Sequence, residues 1–290
     1  MAGRYEHNLI GGRVPMGRRS FLGGVVVAAL GLTALAGCGS TGQSTATLTQ
    51  VTDAAYRSTR GPGFKFSLDM HVSISGHDLA FGGEGALDEK SQQGTMTMNV
   101  SGKTIYEVIK SPYVYVKAPS GSSAGGKPWV KLNANVFAQA SGFSSAPTSD
   151  PTHMLDLLKA SGQVERLGTV TIRGVSSRQY HAIVNLDRYL SKAAPAQRAS
   201  AQQYAALLKR MTGSSSLPMD VFVDTHGRVR RLSLQMSFCT PEGKASESMT
   251  MDLYDYGRQA AVTVPAASQV TDVTEKVRSQ ISQALKQLSC

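Results

Sequence analysis

The chain has 290 residues, 41% of them hydrophobic and 17% charged, with a formal net charge of +10. Lys and Arg are scattered, and only Arg228, Arg230 and Arg231 are bunched, a pattern that argues against nucleic-acid binding and for no more than weak attraction to anionic lipid headgroups. After the first few dozen residues nothing approaches the run of about 20 apolar residues that a membrane-spanning helix needs.

A basic pair, an apolar stretch and small residues come first, in that order. Arg18-Arg19-Ser20-Phe21-Leu22 opens a run of sixteen mostly apolar residues, Phe21 to Ala36, that ends in Leu35-Ala36-Gly37-Cys38. This is the layout of a cleaved export signal. Leu35-Ala36-Gly37-Cys38 resembles the lipobox of bacterial lipoproteins, and Arg18 to Leu22 resembles a twin-arginine signal. The first resemblance implies that residues 1–37 are removed and that the Cys38 thiol is lipidated, two or more acyl chains giving a stable anchor. The second implies export of an already folded domain, so the expected address is the extracytoplasmic side of the cell membrane. Removing residues 1–37 lowers the formal charge to +7. Cys239 and Cys290 then remain, and outside the cytoplasm they are candidates to pair.

Residues 38–47 are read as a flexible tether, because from Gly39 to Thr47 the chain is Gly, Ser, Thr, Gln, Ala and Leu-free. Ten such residues reach roughly 17 Å on average and about 35 Å at most, which keeps the folded part beside its own bilayer. Residues 48–290 are read as one domain in which period two dominates. Phe64, Phe66, Leu68, Met70, Val72 and Ile74 alternate with polar residues and predict a long strand with one wet face. Met96, Met98 and Val100 signal the next, followed by Thr104 to Lys110, Tyr113 to Lys117 and Trp129 to Leu132.

Asp150-Pro151 then predicts a helix start, with Met154, Leu155, Leu157 and Leu158 in a short helix stopped near Gly162. Strands resume at Thr169 to Ile172 and Arg178 to Leu186, and a second helix is expected from about Pro195 to Thr212, ending at Gly213. The clearest hairpin runs from Met219, Val221 and Val223 through Asp224-Thr225-His226-Gly227 into Leu232, Leu234, Met236 and Phe238. Met249 to Tyr254 is another strand, and Asp272 with Glu275 reads as a capping box before a last helix. Consecutive strands with tight turns predict an α+β fold, a mostly antiparallel sheet whose apolar face must be covered. The six apolar residues of the first strand alone carry a gross burial term of about 9 to 18 kcal/mol.

Residue patterns for catalysis are weak. Gly121-Ser122-Ser123-Ala124-Gly125 matches G-x-S-x-G, but that nucleophile elbow needs a strand before it and a helix after it, and this stretch is Ser/Gly-rich. His71, His77, His153, His181 and His226 lack paired metal-ligand spacing, and no pattern brings together two of Asp69, Glu84, Asp88, Asp220 and Asp224. No enzyme, cofactor or metal site is expected.

The lipobox, the leading helix around Leu48 to Arg60, the strand at Phe64, Tyr113-Val114-Tyr115-Val116, Trp129-Val130-Lys131-Leu132, the Asp150-Pro151 helix and the hairpin from Leu217 to Arg231 together resemble the actinobacterial lipoproteins of the LppX/LprG group, which are similar in fold to LolA and LolB. That resemblance implies a strongly curved antiparallel half-barrel with helices across its concave face, enclosing an apolar cavity for the acyl chains of a lipid or glycolipid. Each buried methylene is worth about 0.8 kcal/mol, so a sixteen-carbon chain contributes roughly 12 kcal/mol gross without polar recognition. Flexible methionines suit such a cavity. The candidate lining is Phe66, Leu68, Met70, Met96, Met98, Val221, Leu234 and Met236. A lipid, the membrane and an envelope transporter are the expected partners, and a cell-envelope interaction or sensing protein is the alternative, since a sheet face under helices also docks proteins.

Overall fold

The computed structural model describes residues 41–287 except 60, 62, 89, 101, 118–125, 137–154, 156, 194, 196–197, 241–242 and 258–259. They belong to one compact unit, Ser40–Cys290. Helix α1 (Thr41–Thr59) leads into β1 (Phe64–Ile74), β2 (His77–Asp88), β3 (Gln93–Val100), β4 (Lys103–Lys110), β5 (Tyr113–Lys117) and β6 (Trp129–Asn133). After β7 (Ser161–Ile172) and β8 (Val175–Asn185) come α2 (Leu186–Lys192) and α3 (Arg198–Thr212), then β9 (Ser216–Asp224), β10 (Val229–Thr240), β11 (Gly243–Tyr254), β12 (Val270–Asp272) and α4 (Thr274–Gln287).

All twelve strands form one sheet in the order β12-β6-β5-β4-β3-β2-β1-β11-β10-β9-β8-β7. Every neighbouring pair is antiparallel except β12 with β6, which is parallel. The sheet is curved and does not close on itself. The fold is thus the α+β, mostly antiparallel architecture that the sequence predicts.

One face of this sheet is apolar along most of its width, because alternate residues of a strand point to the same side. One cross-strand row runs Tyr180, Val221, Leu232, Met251, Leu68, Gly83, Met98 and Ile105 from β8 to β4. The next runs Leu253, Phe66, Gly85, Met96, Glu107, Val116 and Val130 from β11 to β6. Helix α1 packs over β7, β9 and β10, α3 over β10, and α4 beside β6. Val51, Ala54 and Ala55 of α1 and Tyr204, Ala205 and Leu208 of α3 join the same buried cluster as the strand residues.

Local chemistry fixes the helix ends. Ser58 of α1 donates to the Ala54 carbonyl at 2.8 Å and accepts the Val229 N–H at 2.9 Å, which ties the helix to the β9–β10 hairpin. In that hairpin Asp224 Oδ1 accepts from the His226 and Arg228 N–H groups, both at 2.9 Å, while Gly227 takes φ +72°, a conformation that favours glycine. Asn185 caps α2 through the Arg188 N–H, and the Gly213 N–H closes the end of α3 on the Lys209 carbonyl. Asp272 caps α4 by accepting from the Thr274 N–H and hydroxyl, but Glu275 pairs with Arg278 instead of completing a capping box.

Several elements depart from the sequence expectation. Strand β2 carries Gly82, Gly83, Gly85 and little branched side chain, so its propensity signal is low. Helix α2 begins at Leu186, which reads as the end of a strand until the Asn185 cap is seen. Helix α1 begins at Thr41, within the stretch read as a tether. Leu155, Leu157 and Leu158 are helical and buried as expected, while Asp150, Pro151 and Met154 lie outside the described residues.

The glycines of β2 do specific packing. A Cβ on Gly85 would stand 2.5 Å from the Thr95 carbonyl oxygen and 2.6 Å from the Phe66 ring. Gly85→Ala should therefore lower unfolding stability by about 2 kcal/mol despite the entropic gain of removing a glycine, measured as a shift in denaturant midpoint at constant slope.

Candidate functional site

The eight residues singled out as a cavity lining all lie on the apolar face. Phe66 and Met96 share one cross-strand row, Leu68, Met98 and Val221 the second, and Met70 pairs through Met249 with Leu234 in a third. Met236 lies one row further, opposite Glu247. Phe66, Leu68, Met96, Met98, Val221 and Leu234 are buried in the core cluster, and Met70 and Met236 are partly buried against it. Four strands, β1, β3, β9 and β10, thus bring these side chains to one surface.

Two carboxyls sit on the same surface. Glu107 of β4 lies between Met96 of β3 and Val116 of β5 and is only 6% exposed. Its Oε2 is inaccessible and has no hydrogen-bond partner among the described residues. Burial pushes its carboxyl up to about 7. Glu247 of β11 lies between Val72 of β1 and Met236 of β10, and burial raises its carboxyl as well. Neither residue figures in the sequence expectation. The signal was present in the alternation Ile105, Glu107, Ile109, which places the acid on the apolar side of its strand.

The opposite face is polar and locked by ion pairs. Asp252 takes Arg231 at 2.5 and 2.9 Å and Arg173 at 3.2 Å, and Arg173 also donates to the Ser67 hydroxyl and lies over the Tyr254 ring. Arg230 pairs with Asp224 at 2.7 Å, and both Arg228 and Arg230 lie over the Tyr256 ring. Burial pushes the Asp224 carboxyl up, but the Arg228 N–H, the Arg230 guanidinium and the His226 N–H outweigh it and hold it below the usual carboxylate range. The bunched arginines considered for lipid headgroups are thus engaged within the fold.

A concavity of about 590 Å³ is lined by His71, Ser73, Gln235, Ser237, Ser246 and Ser248 of the polar side and also by Val72, Met236 and Glu247 of the apolar side, and a second of about 490 Å³ lies where Leu48 meets β7 and β8. His181 is hydrogen-bonded to Asp220 at 2.8 Å, with Gln179 on the other oxygen. Among the described residues no group of three His, Cys, Asp or Glu could hold a metal ion, and no helix is long and apolar enough to cross a membrane. Cys239 is disulfide-bonded. Cys38, Cys290, His153 and Gly121 to Gly125 lie outside the described residues.

No family model matches the chain. It is 23% identical over 208 residues to an uncharacterized 31.2 kDa protein of Streptomyces griseus from the rplA–rplJ intergenic region, an alignment that covers 64% of this chain and 66%, just under two thirds, of that protein's length. Among solved structures, the Mycobacterium tuberculosis lipoprotein LppX matches with 10% identity and a TM-score of 0.48, covering 76% of this chain and 99% of LppX. LprF from Mycobacterium bovis matches with 10% identity and a TM-score of 0.45, covering 77% and 98%. A LolA-superfamily protein from Nitrosomonas europaea follows at 10% identity and a TM-score of 0.30, covering 76% and 94%. The neighbours are of the LppX and LolA kind.

The Glu107 carboxyl makes stability pH-dependent with a definite sign. The unfolded chain gives up this proton near the ordinary value of 4.5 and the folded chain near 7, so folding retains a proton between those values. That contribution is full below pH 4.5 and is lost as pH rises through 7. Wild type should therefore lose about 3 kcal/mol more stability than Glu107→Gln between pH 4.5 and pH 8, measured by denaturant unfolding of both proteins across that range.

Proposed function

We propose that the protein is a lipid-anchored, extracytoplasmic lipoprotein that holds the acyl chains of a lipid or glycolipid against the apolar face of its sheet. It works by shielding those chains from water, and the binding requires no catalytic group. The observation that carries this reading is the gathering of the eight expected lining residues on one continuous surface. Seven of the chain's methionines, Met70, Met96, Met98, Met219, Met236, Met249 and Met251, belong to or pack against its buried cluster. Unbranched, polarizable thioethers adapt to chains of different length and curvature, where a core of branched side chains fits one shape. Binding energy then comes from methylene burial, and each two-carbon extension of the ligand tightens it by roughly tenfold.

The export signal supplies the location. Acyl chains on Cys38 would hold the sheet beside the bilayer from which a lipid ligand comes. We also propose Cys290 as the disulfide partner of Cys239, which would fasten the end of the chain to β10.

Native mass spectrometry of residues 39–290, purified gently and followed by solvent extraction, should show lipid in near-stoichiometric amount. Met98→Trp and Met70→Glu should reduce it severalfold while the protein keeps its circular dichroism. A clean unliganded mass after challenge with mixed envelope lipids would overturn the lipid reading in favour of a protein-docking face. Replacing Cys38 with Ala should move the exported chain from the membrane to the soluble fraction on centrifugation.

A further inference from the structure

Glu107 is a misfit within the surface just described. Its row neighbours are Met96 and Val116, and Ile105 and Ile109 flank it along its own strand on the same side. It makes none of the ion pairs found among the described residues. A buried carboxyl oxygen without a partner, as Oε2 is among the described residues, is costly for a fold to hold, and a leucine of similar size would fill the place with apolar packing. Such a group is satisfied when something that enters the site hydrogen-bonds to it.

Which chemistry fits can be settled by elimination. An anion, such as a phosphate or a fatty-acid carboxylate, would bring a second negative group into a low-dielectric surface beside the first. A cation would pair with the ionised acid, but stripping its hydration shell between Met96 and Val116 costs several kcal/mol. An uncharged hydroxyl or ester carries a much smaller desolvation penalty and answers either form of the acid. The ionised form accepts from a hydroxyl, and the protonated form both donates to a carbonyl and accepts. Burial raises the carboxyl to about 7, so the protonated form is well populated at neutral pH.

We propose that Glu107 is the polar recognition point of the lipid site, taking the uncharged hydroxyl or ester of a lipid whose chains lie along Phe66, Met96 and Met98. This rests on the lipid reading and adds a selection rule to it: neutral, hydroxyl- or ester-bearing lipids are preferred to chain-matched hydrocarbons and to anionic phospholipids.

The test uses the mature lipidated chain in phosphatidylcholine vesicles doped with one of three photoreactive probes of equal chain length, each carrying a diazirine: a diacylglycerol, a phosphatidic acid and a plain alkane. Labelled peptides are mapped by mass spectrometry for wild type, Glu107→Gln and Glu107→Leu, with melting temperatures as a folding control. The expected result is labelling of the peptides of β3 to β5 by diacylglycerol at least fivefold above alkane and phosphatidic acid. Glu107→Gln, which still donates and accepts, should keep that preference, and Glu107→Leu should abolish it while still taking the alkane.

Equal labelling of wild type by diacylglycerol and alkane would overturn the assignment of Glu107 and leave the lipid reading standing. An undiminished diacylglycerol preference in Glu107→Leu would do the same. Loss of the preference in both variants at unchanged melting temperature would overturn the uncharged-group assignment and point to a cation paired with the carboxylate. No labelling of wild type by any probe would overturn the lipid reading along with it.

Discussion

The fold is governed by a single obligation: an unclosed sheet of twelve strands presents an apolar surface from β8 to β5 that has to be kept from water. A closed barrel would turn that surface inward and need nothing else. Here the end strands, β12 and β7, do not pair with each other, so the surface is covered by other means. Helices α1 and α3 lie over β7, β9 and β10 and contribute Val51, Ala55, Tyr204 and Leu208 to the same cluster. The Ser58 hydroxyl, between the Ala54 carbonyl and the Val229 N–H, holds α1 in register with the strands it covers. Removing that hydroxyl would leave a buried backbone N–H without a partner, and the cost of an unmade bond exceeds the benefit of a made one.

The other side of the sheet serves the first. Arg173 stands in the turn between β7 and β8, yet it reaches Asp252 on β11, Ser67 on β1 and the Tyr254 ring. A side chain from the strand pair at one end therefore braces the middle of the sheet on its polar side. The glycines of β2 act on the apolar side. With no Cβ at Gly83 and Gly85, Phe66, Met96 and Met98 close over the strand, and the surface there is built of long flexible side chains on a thin backbone. Ion pairs thus stiffen the sheet from behind, and flexible thioethers fill its front.

Much of this was readable in the residues, and the parts that were not have physical reasons. The Phe64 strand and the hairpin at Asp224 announced themselves because period-two alternation and turn chemistry are local signals. The face shared by Phe66, Met98, Val221 and Leu234 followed from parity once each strand was placed. Strand β2 was missed because glycine carries no β-propensity, although its role is to be small against Phe66. The pairing of β12 beside β6 spans 141 residues between Asn133 and Thr274, which is beyond any local pattern. Arg228, Arg230 and Arg231 read as a basic surface patch because sequence shows charge and not partners. Only the structure supplies Asp224, Asp252 and the Tyr256 ring.

The inward placement of Glu107 is legible in the sequence, but its lack of a partner is not. Its neighbours in sequence, Ile105 and Ile109, mark it as facing the core, and an acid in such a position is ordinarily excused by a partner. Among the described residues the partner is missing, and the proposed role of Glu107 starts from that. A surface meant only to be buried under its own helices gains from Leu at that position, because apolar packing replaces an unpaired acid. A surface meant to dock another protein would need the acid to meet a fixed donor on the partner's backbone or side chains, in the middle of an apolar patch. A lipid meets the same need with the hydroxyl or ester that already joins its chains to the rest of the molecule, while its methylenes match the methionines around it. Burial disfavours the ionised form of both Glu107 and Glu247 on this face, and in the proposed reading Glu107 is the one that selects the lipid.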